Sequence, residues 1–311
     1  QCGLCVRASR EVQDNDVIGL AGRGPNAHIV FDLGDDMGAS TCVGCGECVQ
    51  ACPTGALMPK ASLDEKGVFA NKPDRSVDSL CPYCGVGCQL TFNIQDDKIL
   101  SVDGRPGPAN RGRLCVKGRY GFDYIHNKDR LTTPMIRKSN CPKTREIPTN
   151  PLESFRSASW AEALDFAASG LIKVREKDGG NALAGFGSAK GSNEEAYLVQ
   201  KLVRTGFGTN NVDHCTRLCH ASSVSALMET IGSGAVTAPF SEAENAEVII
   251  VIGANPTVNH PVAATFIKNA VKAGSTLIVM DPRGQALTRH ATHMIQFKPS
   301  SDVAMLNGMI N

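Results

Sequence analysis

The sequence lacks three features that would each point to a broad class of function. Its 32 Lys and Arg residues nearly balance 31 Asp and Glu residues, giving a net charge of +1, so no overall field attracts nucleic acid or an acidic membrane surface. It has no run of 18 apolar residues, so no membrane-spanning helix is expected. No G-x-G-x-x-G follows a predicted strand, and the usual mark of a nicotinamide-binding unit is therefore missing.

The chain also lacks an initiator methionine. It begins at Gln1, inside a cysteine motif, and stops at Asn311, inside an apolar run with helical character. We therefore expect a fragment of a longer protein, with its true N-terminus and any signal peptide lying upstream. Its 311 residues suffice for two or three domains.

Cysteine, in contrast, is abundant and regularly spaced. The chain has 13 cysteines, and ten of them belong to C-x2-C or C-x3-C patterns or complete one. Buried structural thiols would be scattered along the chain, so the spacing favours metal ligation.

The first complete pattern is C-x2-C-x2-C-x3-C followed by proline. Its cysteines are Cys42, Cys45, Cys48 and Cys52. This is the bacterial ferredoxin spacing, in which three thiolates on a short loop surround an iron–sulfur cubane. A zinc ribbon would need a second C-x2-C at ribbon distance, which the sequence does not supply.

The N-terminus carries a second, incomplete run of the same kind. Cys2 and Cys5 are followed by Ser9 where a further cysteine would be expected. One cluster would combine Cys2 and Cys5 with Cys52, and the other would combine the remaining three cysteines of the ferredoxin run with Ser9 or another ligand. Serine oxygen is a poorer ligand for soft iron, so the fourth ligand stays open.

A third pattern, C-x2-C-x3-C-x26-C, follows further along the chain. It contains Cys81, Cys84, Cys88 and Cys115. Residues 88–104 alternate in polarity and predict a β-hairpin that turns at 95–97 and brings the distant cysteine back to the other three. The spacing suits one four-iron cluster, with a zinc site on the same thiolates as the alternative.

The C-terminal half alternates predicted strands with helices, which predicts a parallel, doubly wound α/β sheet within an α+β chain overall. Ser159 and Glu162 have the spacing of a helix capping box. Three loops follow strands, at 187–193, 253–260 and 281–284. Loops at the carboxyl ends of parallel strands are where such folds bind ligands, and small residues let phosphates approach closely.

We predict four segments from these patterns. They are a ferredoxin-like two-cluster module at 1–62, a polar linker at 63–78, a small β-rich [4Fe-4S] domain at 79–135 and a truncated α/β domain at 136–311.

The segment from 212 to 224 reads VDHCTRLCHASSV and contains His214, Cys215, Cys219 and His220. The order H-C-x3-C-H is poorly matched to zinc, which favours pairs such as C-x2-C and H-x3-H. A cysteine–histidine dyad is also poorly matched, because adjacent residues on a helix point about 100° apart. We predict that His214 and Cys215 are framework residues and that Cys215 packs in the core.

The stretch CPYCGVGCQL, followed by GRLCVKGRYGFDYIHNKDRL, resembles the N-terminal cluster domain of molybdenum or tungsten bis-pterin oxidoreductases, the dimethyl sulfoxide reductase superfamily. Within it the chain is most similar to the catalytic (alpha) subunit of formate dehydrogenases. The resemblance implies that Lys117 lies between cluster and pterin and assists electron passage. It also implies that the loops of the α/β domain hold molybdopterin guanine dinucleotide, with candidate contacts at Lys117, Gly253, Asn255, Asp281, Arg283 and Asp302.

The same resemblance gives Cys219 and His220 a chemical role. In formate dehydrogenases a cysteine or selenocysteine at this place ligates molybdenum or tungsten, and a histidine follows it. A soft thiolate suits such a metal, and the neighbouring imidazole can accept the substrate-derived proton near neutral pH. Lys117, Cys219 and His220 are therefore the catalytic candidates.

The resemblance implies an enzyme that oxidises formate reversibly to CO2 and passes electrons through about three [4Fe-4S] clusters. The enzyme is expected in the cytoplasm, and its partners would be flavin- and iron–sulfur-bearing subunits that reduce NAD, with no nucleic acid partner. One alternative is an assimilatory nitrate reductase, which usually lacks the histidine after the cysteine. The non-catalytic alternative is the large iron–sulfur subunit of NADH dehydrogenase. Substrate-orienting residues and a second pterin domain are expected beyond Asn311.

Overall fold

A computed structural model describes residues 2–143 and 150–311 of the chain. Its contacts divide them into two compact units. The first unit comprises the described residues up to His126 together with Thr237–Asn311, and the second comprises the described residues of Asn127–Val236. The four segments predicted above remain predictions.

The N-terminal segment is a short helical stretch followed by a hairpin. Helix α1 (Leu4–Arg7) continues into a wider π-helical turn, and strands β1 (Ile18–Ala21) and β2 (His28–Phe31) pair antiparallel. The ferredoxin run contains the short helix α2 (Glu47–Gln50). Val6, Ile18 and Cys48 form a small core between these elements.

The next elements form a three-stranded antiparallel sheet, followed by a short helix that begins after Cys115. They are β3 (Arg75–Leu80), β4 (Gln89–Gln95), β5 (Lys98–Gly104) and α3 (Val116–Tyr120). The predicted hairpin is confirmed as β4–β5. Asp96 and Asp97 have φ of 50° and 58°, the two positive values that a tight two-residue hairpin turn requires.

Strand β3 begins inside the stretch predicted as linker. It pairs antiparallel with β4, and Val77 lies opposite Phe92. Pairing between side chains on adjacent strands stabilises a sheet edge even where the sequence is polar. Because residues 75–78 are polar, the sequence predicted a linker where the structure has the start of a strand.

The second unit contains two short antiparallel strands, then helices that alternate with two short parallel strands. The elements are β6 (Met135–Arg137), β7 (Phe155–Ser157), α4 (Trp160–Asp178), β8 (Gly185–Gly187), α5 (Asn193–Lys201), β9 (Val212–His214) and α6 (Thr216–Ile231). The predicted helix start is confirmed, because the Ser159 hydroxyl accepts the Glu162 N–H at 3.2 Å and thereby satisfies one free donor of the first turn.

The C-terminal part of the first unit is a parallel α/β arrangement. The elements are β10 (Val248–Ile252), α7 (Pro256–Asn259), α8 (Pro261–Lys272), β11 (Thr276–Met280), β12 (His293–Ile295) and α9 (Asp302–Ile310). Strands β10, β11 and β12 pair parallel in that order. The predicted alternation of strands with helices and the α/β class are confirmed. The described parallel strands form one sheet of three strands and one of two.

Helix α8 also covers the antiparallel sheet. Phe266 is fully buried and packs in one core with Leu90, Leu114 and Cys88. The guanidinium of Arg113 lies 4.7 Å from the Phe266 ring centroid, a distance at which a cation is attracted to the aromatic face. Helix α8 thus joins the parallel sheet to the cysteine-bearing sheet within the first unit.

Within residues 2–143 and 150–311, no helix combines the length and the apolar character needed to cross a membrane.

Candidate electron-transfer and cofactor site

The four cysteines of the third pattern lie near one another in the first unit. Cys88 and Cys115 are buried in the core, and Cys81 and Cys84 pack against it. Burial raises the pKa of the Cys88 thiol to about 12, and the charges of Cys81, Cys84 and Cys115 add to this shift. The hairpin therefore brings the distant cysteine to the other three, as its spacing predicts.

A second group of thiols forms around the ferredoxin run. Cys45 and Cys48 are buried, and burial raises the pKa of Cys45 to about 12, with Glu47, Cys48 and Cys42 contributing further. Burial also raises the pKa of Cys48, with smaller contributions that include Cys42 and Cys5. Cys5 thus lies beside Cys48 rather than apart from the ferredoxin run.

Cys52 has a different environment from the other cysteines of its run. Its Sγ accepts the N–H of Leu57 at 3.4 Å. This hydrogen bond, with help from Thr54, lowers the pKa of the thiol to about 7. The lowered pKa favours the thiolate form of Cys52. Cys2, in contrast, is exposed. The division of these cysteines between two clusters stays a prediction.

Ser9 is buried and its hydroxyl is already used. The Oγ donates to Asn15 Oδ1 at 2.9 Å and accepts the Ile18 N–H at 3.2 Å. These bonds tie the N-terminal helix to β1. The structure thus gives Ser9 a role in packing, which differs from the ligand role considered from the sequence.

The two thiol groups fit multi-iron clusters. Thiolates in a buried site need a nearby cation to offset their loss of hydration. Among the described residues, no group of three His, Cys, Asp or Glu side chains that could hold a single metal ion is found.

A buried ion pair that the sequence reading missed connects the two cysteine runs. Arg119 and Glu47 are 3% and 7% exposed, and Arg119 Nη2 donates to Glu47 Oε1 at 2.8 Å. The same carboxylate oxygen accepts the Leu114 N–H at 2.8 Å. The sequence holds one signal for this ion pair, which is the glutamate inside the ferredoxin run, where a solvated side chain is expected.

Gly46 makes room for this pair. Its φ is 73°, and a Cβ at this position would lie 2.5 Å from Arg119 Cδ. The close approach requires glycine, because any side chain would collide with the buried arginine and strain the backbone. The loop glycine therefore lets helix α3 pack against the ferredoxin run.

Lys117 lines a cavity of 540 Å³ in the first unit, together with Cys45, Cys115, Val258 and Lys268. Its Nζ donates to the Val258 carbonyl at 3.1 Å. The structure thus brings Lys117 to the loop at 253–260, which the sequence analysis selected independently. Lys268 was missed, and burial lowers the pKa of its amine to about 8.

The candidate cofactor contacts in the first unit follow the ends of parallel strands. Gly253 follows β10, and Asp281 and Arg283 follow β11. Asp281 is buried, and its Oδ1 accepts the Arg283 N–H at 2.8 Å. Asn255 precedes α7, and its Oδ1 accepts the Thr257 hydroxyl at 2.6 Å.

Gln285 links two of these loops and was missed by the sequence reading. Its Nε2 donates to the Ala254 carbonyl at 2.9 Å and to Asp281 Oδ2 at 3.3 Å. Its Oε1 is buried and has no hydrogen-bond partner, and the space in front of Gly253 is open. An unpaired buried acceptor beside an open glycine fits a ligand that offers N–H or O–H donors.

Asp302 begins α9, in the segment that follows β12. Its position after a parallel strand agrees with the neighbouring candidates. The structure records no contact that assigns it a role, so it stays a prediction.

In the second unit the loop at 187–193 meets the residues that follow β9. Strands β8 and β9 are parallel, so their carboxyl ends lie together. The Ala189 N–H lies 3.3 Å from Cys215 Sγ, and His214 Nδ1 lies 3.8 Å from the same sulfur. Cys215 is exposed, so the prediction that it packs in the core is wrong. It sits at the end of a two-stranded sheet that is too small to cover it.

Cys219 and His220 lie at an interruption of helix α6. The Cys219 N–H donates to the Cys215 carbonyl at 3.2 Å, whereas His220 has φ of −130° and ψ of 20°, outside the helical range. Both side chains are exposed. A kink presents consecutive side chains differently from a regular helix, so the regular 100° separation does not apply to this pair.

Comparison with protein families gives three matches along the chain. The profile described as Molybdopterin oxidoreductase matches residues 130–311. The Molybdopterin oxidoreductase Fe4S4 domain matches residues 74–127, and the 4Fe-4S binding domain matches residues 39–58.

Whole-chain comparison finds curated relatives of greater length. The chain is 31% identical to "Probable oxidoreductase YjgC" of Bacillus subtilis (strain 168), over 99% of this chain and 34% of the relative. It is 30% identical, over the same shares, to a protein of Staphylococcus aureus (strain USA300) named "Putative formate dehydrogenase". The chain therefore spans about a third of the length of these relatives.

Among solved structures, acetylene hydratase from Pelobacter acetylenicus superposes with a TM-score of 0.61 at 21% identity. The match covers 75% of this chain and 31% of that one. At this identity the likeness concerns the fold.

Proposed function

The chain belongs to the molybdopterin oxidoreductase family, and from that premise we propose that it is part of a formate dehydrogenase catalytic subunit. The carrying observation is the exposed Cys219–His220 pair at the interruption of α6, directly after a parallel strand. The relative from S. aureus with "formate dehydrogenase" in its name supports the choice of substrate.

The pterin cofactor would be molybdopterin guanine dinucleotide with molybdenum or tungsten. Gly253, Asn255, Asp281, Arg283 and Asp302 are the proposed contacts in the first unit. The open space at Gly253 and the unpaired oxygen of Gln285 support a polar ligand at these loops. When bound, the metal centre supplies a two-electron acceptor for the oxidation of formate to CO2.

The chain's own residues then have separate tasks. The thiolate of Cys219 would ligate the metal, and a ring nitrogen of His220 would accept the proton released when formate becomes CO2. The ammonium of Lys117, held by the Val258 carbonyl, would place a positive charge beside the Cys81/Cys84/Cys88/Cys115 group and favour the arrival of electrons there.

The electrons would continue through the ferredoxin-like clusters to a partner. We propose flavin- and iron–sulfur-bearing subunits that reduce NAD, in the cytoplasm. The support is the order of cysteine patterns along the chain and the match of the 4Fe-4S binding domain at 39–58.

Paired cysteine variants test the metal ligand. In the full-length protein, Cys219→Ala should abolish formate-dependent dye reduction while the iron content stays at the wild-type level. Cys215→Ala is the matched control, because this thiol is also exposed and lies four residues earlier. It should keep activity. Formate activity in Cys219→Ala would refute the ligand assignment.

Metal analysis separates the proposal from its alternatives. We expect molybdenum or tungsten in protein that is replete with iron and sulfide. Absence of both metals from such protein would favour the electron-transfer subunit, and nitrate reduction without formate oxidation would favour a nitrate reductase.

A further inference from the structure

We propose that Arg119 is the residue that positions the two cysteine groups against each other and bridges electron transfer between the clusters they hold. The inference rests on the proposed function, because it assigns a residue to the same electron route. No sequence motif selects Arg119, and its role follows from its contacts.

Arg119 is hydrogen-bonded to one cysteine of each group. Its backbone N–H donates to the Cys115 carbonyl at 3.0 Å, and its side-chain Nε donates to the Cys45 carbonyl at 2.9 Å. One residue thus joins the two runs through two hydrogen bonds and its own covalent chain. Such a connected path couples two redox centres better than a gap across a cavity.

The guanidinium is fixed in place by its remaining donors. Nη2 donates to Glu47 Oε1 at 2.8 Å, and Nη1 donates to Gln50 Oε1 at 2.6 Å. Both acceptors lie on α2, within the ferredoxin run. A planar fork with several satisfied donors holds one orientation, which a flexible lysine cannot reproduce.

The opposite side of this network is anchored on the antiparallel sheet. Gln50 Oε1 also accepts the Gly104 N–H at 2.8 Å, and Arg119 Nη1 donates to the Val102 carbonyl at 3.2 Å. Glu47 accepts the N–H of Leu114, the residue before Cys115. The spacing of the two cysteine runs therefore depends on buried hydrogen bonds, which are costly to leave unpaired.

Neighbouring arginines do not share this arrangement. Arg111 and Arg113 lie over the Phe266 ring, and Arg111 forms an ion pair with Glu244 at 2.7 Å. They support the packing of α8. This difference supplies a control from the same loop region.

The step assigned to this route is a one-electron exchange. A cluster held by Cys81, Cys84, Cys88 and Cys115 would give one electron to a cluster held by the ferredoxin run. No bond to Arg119 forms or breaks, and no proton is transferred. Arg119 contributes by holding the two cysteine groups in position.

The test uses the full-length protein purified with its clusters and reduced with dithionite, so that it does not depend on formate. Electron paramagnetic resonance of the wild type should show splitting from magnetic interaction between two reduced clusters. Arg119→Met keeps the backbone bond to Cys115 and removes the side-chain bond to Cys45. It should weaken the splitting several-fold, because the two cysteine groups are no longer held at their native separation, while iron and sulfide are retained.

Two further variants complete the design. Arg111→Met, the matched control, should keep the splitting. Arg119→Lys should show a reduced splitting, and it decides the question if Arg119→Met does not retain clusters. The proposed role of Arg119 would be overturned if an Arg119 variant that retains its clusters showed unchanged splitting. It would also be overturned if the wild type showed no magnetic interaction between clusters. Wild-type protein without iron–sulfur clusters would instead overturn the proposed function.

Discussion

Four described cysteines of the first unit are buried, whereas none of the described cysteines of the second unit is. In the first unit Cys45, Cys48, Cys88 and Cys115 are buried within cores formed by the chain's own sheet, hairpin and helices. In the second unit Cys215 and Cys219 are exposed at the start of α6. These four proposed cluster ligands are thus fixed by local packing, whereas the proposed metal ligand, Cys219, is exposed.

The helices of the two units show the same contrast. Helix α8 has buried residues along most of its length, from Val262 to Ala270. Helix α4, although longer, has none. Removal of a buried side chain leaves a cavity, while removal of an exposed one changes little. Substitutions in the first unit should therefore have the larger effects on stability.

The largest effect is expected at Phe266. Phe266→Ala should lower the free energy of unfolding by about 3–5 kcal/mol, because it empties a fully packed site. Phe186 of the second unit is 82% exposed, and Phe186→Ala should change stability by no more than about 0.5 kcal/mol. Thermal unfolding of both variants measures the difference. Equal losses would contradict the contrast between the units.

A buried ion pair should also matter more than an exposed one. Glu47→Ala removes the buried partner of Arg119 and leaves it the half-exposed Asp103 at 3.8 Å, and we expect a loss of about 3 kcal/mol. Asp213 pairs with Arg217 at 3.0 Å on the surface of the second unit, and Asp213→Ala should cost about 0.5 kcal/mol. Unfolding curves and iron content would be compared. A loss below 1 kcal/mol for Glu47→Ala would argue that the buried Arg119–Glu47 ion pair contributes little to stability.

Two glycines with nearly equal φ allow the cost of backbone strain to be measured apart from the cost of a steric collision. Gly46 and Gly232 have φ of 73° and 71°. Gly232 has open space around a Cβ position, whereas Gly46 does not. Gly232→Ala should cost about 1 kcal/mol from backbone strain, and Gly46→Ala about 2 kcal/mol more, because Arg119 must move. Equal shifts in Tm would show that the close approach is unimportant.

The smallest effect is the pH dependence produced by Lys268. Burial lowers its folded-state pKa to about 8 from an ordinary 10.5, so the folded protein releases this proton before the unfolded chain does. Stability should therefore rise relative to Lys268→Met between pH 8 and 10.5, by on the order of 2 kcal/mol. Tm measured for both proteins across this range tests the sign. A falling or constant difference would contradict the lowered pKa.

Local features were predictable from the sequence, and distant contacts were not. The β4–β5 hairpin and the Ser159 cap follow from residues within a few positions of each other, and both are confirmed. The cysteine groups were also predictable, because ligand spacing reflects the size of the cluster.

The remaining features depend on residues far apart in the chain. Arg119 contacts Cys45 and Glu47 across more than 70 positions, and no short motif encodes such a contact. Cys215 was assigned to a core because the sequence pattern does not reveal how small the sheet at β8–β9 is. Strand β3 was missed because its residues are polar and its extended conformation is stabilised by pairing with β4.

The link between Lys268 and the N-terminal segment has a consequence for biosynthesis. Its Nζ donates to the carbonyl of Asp14 at 3.0 Å, across 254 positions of sequence. At a translation rate of 5–20 residues per second, Lys268 is made roughly 10–50 s after Asp14. During that interval the N-terminal cysteines have been synthesised but their final packing has not. The N-terminal segment therefore lacks its contact with helix α8 for most of the time in which residues 14–268 are made.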